Sequence, residues 1–393
     1  MVLGPGGSGI SVVAAAGAMR RDRGTRRRSP TPLTPPDRHT LLITVDRLSA
    51  TPDLLGVFRV SGEPVAVASG LHLLTLDRLD LLEHTWTAFG SLLGMSVRES
   101  KVALPIVSTI AGIDAAELAS LPGVEEFLLL KRIRDEATSG DWQRVVVDLS
   151  GTGDPFAVLR APAVLGQALE RLWPRHRRLA AAAEKPLWAQ LTAAIDAIAR
   201  DCDDITELLA DADVVAAHLV VSADHRGGRV LSRHLAVADV MGLPVRSVVV
   251  NEGVCAGPAA VVTPEDPQLS LVTVAAADAP VDRPARLRRL AVALAKPTGQ
   301  ARGSADPTVV TISGAGVDSV FEMAWSQRLP DPQRFDLGRS GDDLLVTVDG
   351  FRYGVRLPSV LRRCVVRTAR WDGTHVRVQF TPDPAVWPRD RGS

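Results

Sequence analysis

Apolar positions in the first three-quarters of the chain fall into two alternating kinds of run. Short β-branched stretches at 41–45, 145–147, 218–221 and 245–250 are separated by longer segments whose apolar residues recur every three or four positions. Strands buried on both faces read as continuous apolar runs, so this alternation predicts a parallel sheet covered by helices, an α/β fold. The segment from about 155 to 213 reads as a helical subdomain. In it Leu187, Trp188, Leu191, Ile195 and Ile198 form an apolar stripe at helical spacing. Such a stripe is usually a core face, and a client-binding surface is the alternative. Only Met1, Val2 and Leu3 precede the first glycine-rich segment. Strands usually run about five or six residues, so no strand is expected there, and the true start is expected upstream.

The pattern changes near the C-terminus. Residues 296–306, with Pro297, Gly299, Gly303 and Ser304, read as a linker after a first domain spanning 1–300. Beyond it, 344–348, 351–357, 365–371 and 374–380 read as strands of a small all-β sandwich domain at 307–386. Asp349-Gly350 and Asp372-Gly373 supply the chemistry of tight hairpins. Val376, Val378 and Phe380 alternate with Arg377 and Gln379, so one face packs and the other is wet. Between 20 and 38 lies a basic, proline-rich insertion whose composition opposes regular structure. It reads as a solvated loop, with contact to an acidic partner or lipid head group as the alternative.

Charge and cysteine content narrow the classes. In 393 residues, 45 Lys plus Arg balance 45 Asp plus Glu, so no overall field recruits nucleic acid. Cys202, Cys255 and Cys364 lie far apart and form no Cys-x-x-Cys pair, which fits a reducing cytoplasm and argues against a zinc site or disulfide framework. No apolar run approaches the length of a transmembrane helix, and no basic leader is read at the start, so a soluble, unprocessed cytoplasmic protein is expected. Asp201, Asp203 and Asp204 read as a solvated helix terminus. His218, His225 and His234 lack metal-ligand spacing, and no Gly-x-Ser-x-Gly elbow is present.

The candidate chemistry starts at Gly4-Pro5-Gly6-Gly7-Ser8-Gly9-Ile10-Ser11, followed by the helix-forming run 12–16. Glycines at this density let successive N–H groups turn toward one anion, and the helix behind them adds the positive end of its dipole. Gly4-x-Gly6-x-x-Gly9 also matches a dinucleotide fingerprint, with Asp46 at the end of the next strand as a ribose ligand. A third element weighs against that rival: the strand 145–147 runs into Asp148 and the loop Leu149-Ser150-Gly151-Thr152-Gly153. A magnesium-nucleotide site uses an acid at the strand end for the metal and a loop beyond it to sense phosphate.

Taken in order, and with the β tail, these segments resemble the ArsA-like ATPase family, which includes the arsenite-pump and tail-anchored-protein targeting ATPases. The family's G-K-G-G-x-G-K-[ST] loop, D-P-A-H-S strand end and D-T-A-P-T-G-H-T switch correspond here to 4–11, 46–49 and 148–155. The run 160–172 is similar to the family's post-switch segment. The tail from about 307 to 380 resembles the small heat-shock-like domain of some members.

The resemblance implies a P-loop NTPase that takes ATP and Mg and works as a face-to-face dimer, either a homodimer or a heterodimer with an active paralogue. Gly4, Gly6, Gly7 and Gly9 would wrap phosphate, Ser11 would touch magnesium, and Asp148 would support the metal or its water. Asp46 would orient the attacking water as the catalytic residue, and Asn251 would meet the adenine. Both family lysines are absent, replaced by Pro5 and Ile10. A charge-assisted hydrogen bond to phosphate is worth about 1.5–3 kcal/mol, and a trans-acting cation about a thousand- to a hundred-thousand-fold in rate. The expectation is therefore a degenerate or pseudo-ATPase subunit acting in protein-client handling or complex assembly. An active ATPase, with Arg47 or an arginine of the insertion as substitute, is the first alternative, and a dinucleotide-binding enzyme the second. Arsenite chemistry needs clustered thiols, which this chain does not offer.

Overall fold

The structure, a computed structural model, describes residues 1–20, 39–100, 114, 117, 121–184, 186–255, 266, 269–299 and 308–387; for 89, 91–100, 184, 186 and 187 it describes the backbone only. Residues 21–38 of the insertion and 300–306 of the 296–306 linker therefore lie outside the described residues.

The chain opens with β1 (Val2–Leu3), α1 (Ile10–Met19), β2 (Thr40–Thr44), α2 (Thr51–Leu55), β3 (Val65–Ala68) and β4 (Leu71–Thr75). It continues through α3 (Arg78–Ser100), α4 (Val124–Thr138), β5 (Arg144–Asp148), α5 (Pro155–Leu172), α6 (Arg175–Glu184) and α7 (Pro186–Ala210). Among the described residues, β6 (Ala217–Ser222), α8 (His225–Met241), β7 (Val245–Asn251), β8 (Ser270–Val274) and α9 (Pro284–Arg289) follow in the first domain. Its eight strands form one sheet in the order β3-β4-β2-β5-β1-β6-β7-β8, parallel throughout except for the antiparallel edge strand β3.

Side-chain alternation along the strands sorts the core. Leu42, aligned with Leu73 and Val146, joins Val2, Val220 and Val249 beneath α1, α2 and α9. Leu41, Ile43, Leu74 and Val147 point to the opposite face, under Phe127 and Leu130 of α4, Phe156 of α5 and Leu235 of α8.

Three residues suffice to deliver the glycine loop, contrary to the expectation from strand length. Val2 and Leu3 are fully buried and pair with β5 on one side and β6 on the other. A two-residue strand would not stand alone, but here both of its edges are already templated by neighbours.

The acidic run at 201–204 is likewise no helix end. It lies within α7, where Asp201 accepts from Arg134 of α4 at 2.7 Å and pairs with Lys131 at 3.5 Å. Of the apolar stripe, Leu191, Ile195 and Ile198 are half-buried and Ile198 packs on the main core. Trp188 meets Trp173 edge to face at 5.7 Å. The side chain of Leu187 lies outside the described residues.

The β domain contains β9 (Thr308–Ser313), β10 (Val320–Ser326), β11 (Phe335–Ser340), β12 (Asp343–Val348), β13 (Phe351–Arg356), β14 (Cys364–Trp371) and β15 (His375–Pro382). A four-stranded sheet, β14-β15-β10-β9, faces a three-stranded one, β11-β12-β13. Asp349 (φ 48°) and Gly350 (φ 82°) turn β12 into β13 through the doubly left-handed geometry that suits the sheet twist. The sandwich is not a detached module. Ala236 and Val240 of α8 belong to its apolar core, and fully buried Gln327 donates its amide to the Ala236 carbonyl at 2.8 Å.

Candidate phosphate-binding site at the carboxyl edge of the sheet

Parallel strands place the loops at their carboxyl ends along one edge, and a crevice opens where neighbouring connections diverge. Here the loops after β1, β2, β5, β6 and β7 meet at that edge. The glycine loop is set by close packing and not by composition alone. A Cβ on Gly4 would fall 2.1 Å from the Val220 carbonyl oxygen of β6, so only glycine lets the loop leave the sheet there. Gly7 and Gly9 have φ of 81° and 86°, and Gly9 caps the start of α1. Ser8 closes the turn, its hydroxyl donating to the Pro5 carbonyl at 2.8 Å. Gly6 and Gly7 are exposed, with open space where a Cβ would stand.

Asn251, at the end of β7, braces this loop from beneath. Its Nδ2 donates to the Ser8 carbonyl at 3.0 Å, and its Oδ1 accepts from the Gly253 N–H at 3.1 Å. A Cβ on Gly9 would lie 2.3 Å from that Nδ2. Both ends of the amide are thus used inside the protein, an arrangement the sequence pattern did not reveal.

Ile10 begins α1 and is 5% exposed, packed in the apolar cluster with Val13, Ala14, Leu54 and Leu55. Ser11, one residue on, donates its hydroxyl to Ser150 Oγ at 2.9 Å, which joins the glycine loop to the loop after β5.

Asp148 ends β5 and is fully buried. Its Oδ1 accepts from the Ser150 N–H at 3.0 Å and its Oδ2 from Thr51 Oγ1 at 3.2 Å. Burial pushes its carboxyl up, against the hydrogen bonds from Ser150, Ser11 and Thr51 that favour the charged form. Asp46 follows β2 and accepts the Leu48 N–H at 2.8 Å. It lies tightly against Gly151, where a Cβ would come 2.2 Å from its carboxyl carbon. Arg59 braces the Asp46 loop by donating to the carbonyls of Arg47 and Ser49. Arg47 itself extends into solvent, 4.0 Å from Asp77.

The structure therefore gathers Gly4, Gly6, Gly7, Gly9, Ser11, Asp46, Asp148 and Asn251 from four strand ends, those of β1, β2, β5 and β7, to one edge. Thr51, Ser49, Ser150 and Arg59 join them; the sequence singled out neither Thr51 nor Arg59, and it held Ser49 and Ser150 within motif segments without a role of their own. The signal for Thr51 was a hydroxyl five residues beyond Asp46 at the start of a short apolar helix, too common a pattern to single out.

Exposed backbone at Gly6 and Gly7 fits an anion, and the oxygen-rich set of Ser11, Ser150 and Asp148 fits a hard cation such as Mg. The positions that would carry phosphate-binding ammonium groups hold Pro5 and Ile10. Among the described residues no group of three or more His, Cys, Asp or Glu is placed to hold a metal, and Cys202 and Cys364 are buried while Cys255 is exposed.

Comparison with known proteins points in one direction. Residues 1–260 match the family described as anion-transporting ATPase, and 323–380 match the HSP20-like domain found in ArsA. The protein Rv2184c of Mycobacterium tuberculosis is 31% identical over 427 residues, covering 99% of this chain and 97% of its own. A Streptomyces coelicolor protein, SCO2128, is 31% identical over 428 residues, covering 100% and 99%. A putative arsenical pump-driving ATPase of Chlorobaculum tepidum is 23% identical over 261 residues, covering 63% and 59%.

Proposed function

The chain belongs to the anion-transporting ATPase family, ArsA, and we propose that it is a nucleotide-binding member whose phosphoryl chemistry has been lost. One observation carries this reading. The side chain that follows the last loop glycine is buried in the core as Ile10, where the family resemblance places a lysine on phosphate. With Pro5 at the other lysine position, neither cation that would stabilise a transferring phosphoryl group is present. The glycine backbone that would cradle phosphate does not depend on those lysines.

In this reading Gly4, Gly6, Gly7 and Gly9 hold phosphate through backbone N–H groups, and the N-terminus of α1 adds its dipole. Ser11 and Asp148 would hold Mg or its water, and Asp46 would orient water. Asn251 would meet the base at the expense of its bond to Ser8. Bound ATP-Mg would supply an ordering charge at the loop in place of a turnover cycle. The protein then acts as a subunit, homodimeric or paired with an active paralogue, in client handling or complex assembly. Family membership favours ATP over the dinucleotide alternative.

The test is calorimetry with ATP and Mg, followed by steady-state phosphate release from the wild type and from Asp46→Asn. Binding without turnover is expected. Turnover abolished by the Asp46 substitution would establish an active ATPase and end this reading, as would absence of any adenine-nucleotide binding.

A further inference from the structure

Thr51 is the first residue of α2 and has no exposed surface. Its hydroxyl accepts from Ser49 Oγ at 2.8 Å and donates to Asp148 Oδ2 at 3.2 Å. A charged carboxylate can only accept, so the direction of this chain is set: Ser49 to Thr51 to Asp148. The backbone reinforces it, because the Thr51 N–H donates back to Ser49 Oγ at 3.1 Å and the Ser49 N–H donates to the Asp46 carbonyl at 3.0 Å. Asp46, on the loop after β2, and Asp148, at the end of the neighbouring strand β5, are thereby joined through protein atoms alone. The other carboxylate oxygen, Oδ1, is held by Ser150 of the loop whose Gly151 lies against Asp46. Each oxygen of Asp148 therefore anchors one of the two loops.

We propose that Thr51 is a positioning residue, a latch that ties the Asp46 loop and α2 to the Asp148 carboxylate, so that a cation drawn to Asp148 is felt by that loop. Its ligand-dependent part rests on the nucleotide reading above. The Arg59 brace on the carbonyls of Arg47 and Ser49 makes residues 46–49 move as a unit, so a change at one hydrogen bond reaches Asp46. Leu48 and Phe58, 84% and 91% exposed, sit on the braced loop and on the segment that carries Arg59. Release of the latch would free these two exposed apolar side chains to reorient.

The experiment compares Thr51→Val, which removes the hydroxyl and keeps the shape, with Thr51→Ser, which keeps the hydroxyl. Amide hydrogen exchange across 46–55 is followed first without nucleotide. Thr51→Val is expected to exchange about tenfold faster than the wild type and Thr51→Ser at close to the wild-type rate. ATP affinity is then measured in EDTA and in magnesium. The enhancement by magnesium should fall about fivefold or more in Thr51→Val and persist in Thr51→Ser.

Unchanged exchange in Thr51→Val, or equal acceleration in both variants, overturns the latch whatever the nucleotide does. A wild type that binds no adenine nucleotide overturns the functional reading instead, and the exchange comparison still decides the latch. If circular dichroism shows Thr51→Val unfolded, Ser49→Ala removes the outer link and must speed exchange in the same segment for the latch to stand.

Discussion

Arg328, two residues past the end of β10, closes on Asp239 of α8 with three donors: its backbone N–H at 2.7 Å, Nε at 2.8 Å and Nη2. The Asp239 side chain is 1% exposed, and a second acid, Asp266, lies 3.4 Å from the same guanidinium. The β domain is therefore fastened to the first domain by a charge that neither domain could bury alone. α8 itself starts just after the carboxyl end of β6, the strand next to β1, with Asp224 as its N-cap, so one helix runs from that edge of the sheet to the sandwich.

Arg328→Leu leaves the Asp239 carboxylate buried without its partner and is expected to cost about 3–5 kcal/mol in urea unfolding. The double substitution Arg328→Leu with Asp239→Leu should recover part of that loss, because the desolvation penalty of Asp239 leaves with the pair while Asp266 still loses its guanidinium partner. Equal losses in the single and double variants would mean that the pair does not fasten the domains.

Ile10→Lys places an ammonium group where the core now holds a butyl side chain. Without nucleotide, stability should drop by about 2–4 kcal/mol, read as a lowered midpoint of denaturation. With ATP present the lysine can reach phosphate, and affinity should rise about tenfold or more by calorimetry. A variant with wild-type stability would place residue 10 outside the core.

Asp148→Asn separates binding from stability. Burial raises the folded-state pKa of Asp148 above its unfolded value. Its favourable contribution is therefore complete below the unfolded pKa and is lost as pH rises through the folded one. Near neutral pH the asparagine variant, which carries no buried charge, should be as stable as the wild type or more so. The gap should shrink as acid protonates Asp148. Magnesium-dependent nucleotide affinity should fall over the same comparison.

His234 of α8 stacks edge to face on Phe156 at 5.1 Å, and burial lowers its pKa to about 4, with Asp154 acting to raise it and Arg233 to lower it further. The neutral ring is the folded form. Stability should be complete above about pH 6.5 and decline as pH falls toward 4, by on the order of 3 kcal/mol in all. His234→Leu should flatten that part of the pH–stability curve, measured by thermal unfolding in matched ionic strength.

The sequence-level reading reached far where the signal was local. β2, β5, β6 and β7 each lie within about two residues of their apolar runs, because a strand buried on both faces has no alternative to a continuous apolar segment. The four strands foreseen in the sandwich, and the Asp349-Gly350 turn, follow from alternation and from the φ angles that few residues accept. β9, β10 and β11 were missed. β9 and β11 show little or no buried face, so their side chains carry weak alternation.

The linear chain by itself determined the glycine cradle, the two absent cations, the acids at strand ends and the change of architecture near residue 300, since each depends on residue type at short spacing. Only the tertiary structure decided that two residues make a central strand and that Ile10 belongs to the core. It alone decided that Asn251 braces the loop, that Thr51 reaches Asp148, and that the sandwich is locked to α8 through Arg328. The physical reason is separation along the chain. The hydrogen bonds among these contacts join positions 89 to 243 residues apart, and a hydrogen bond or buried charge between such positions exists only once the sheet has brought its strand ends together.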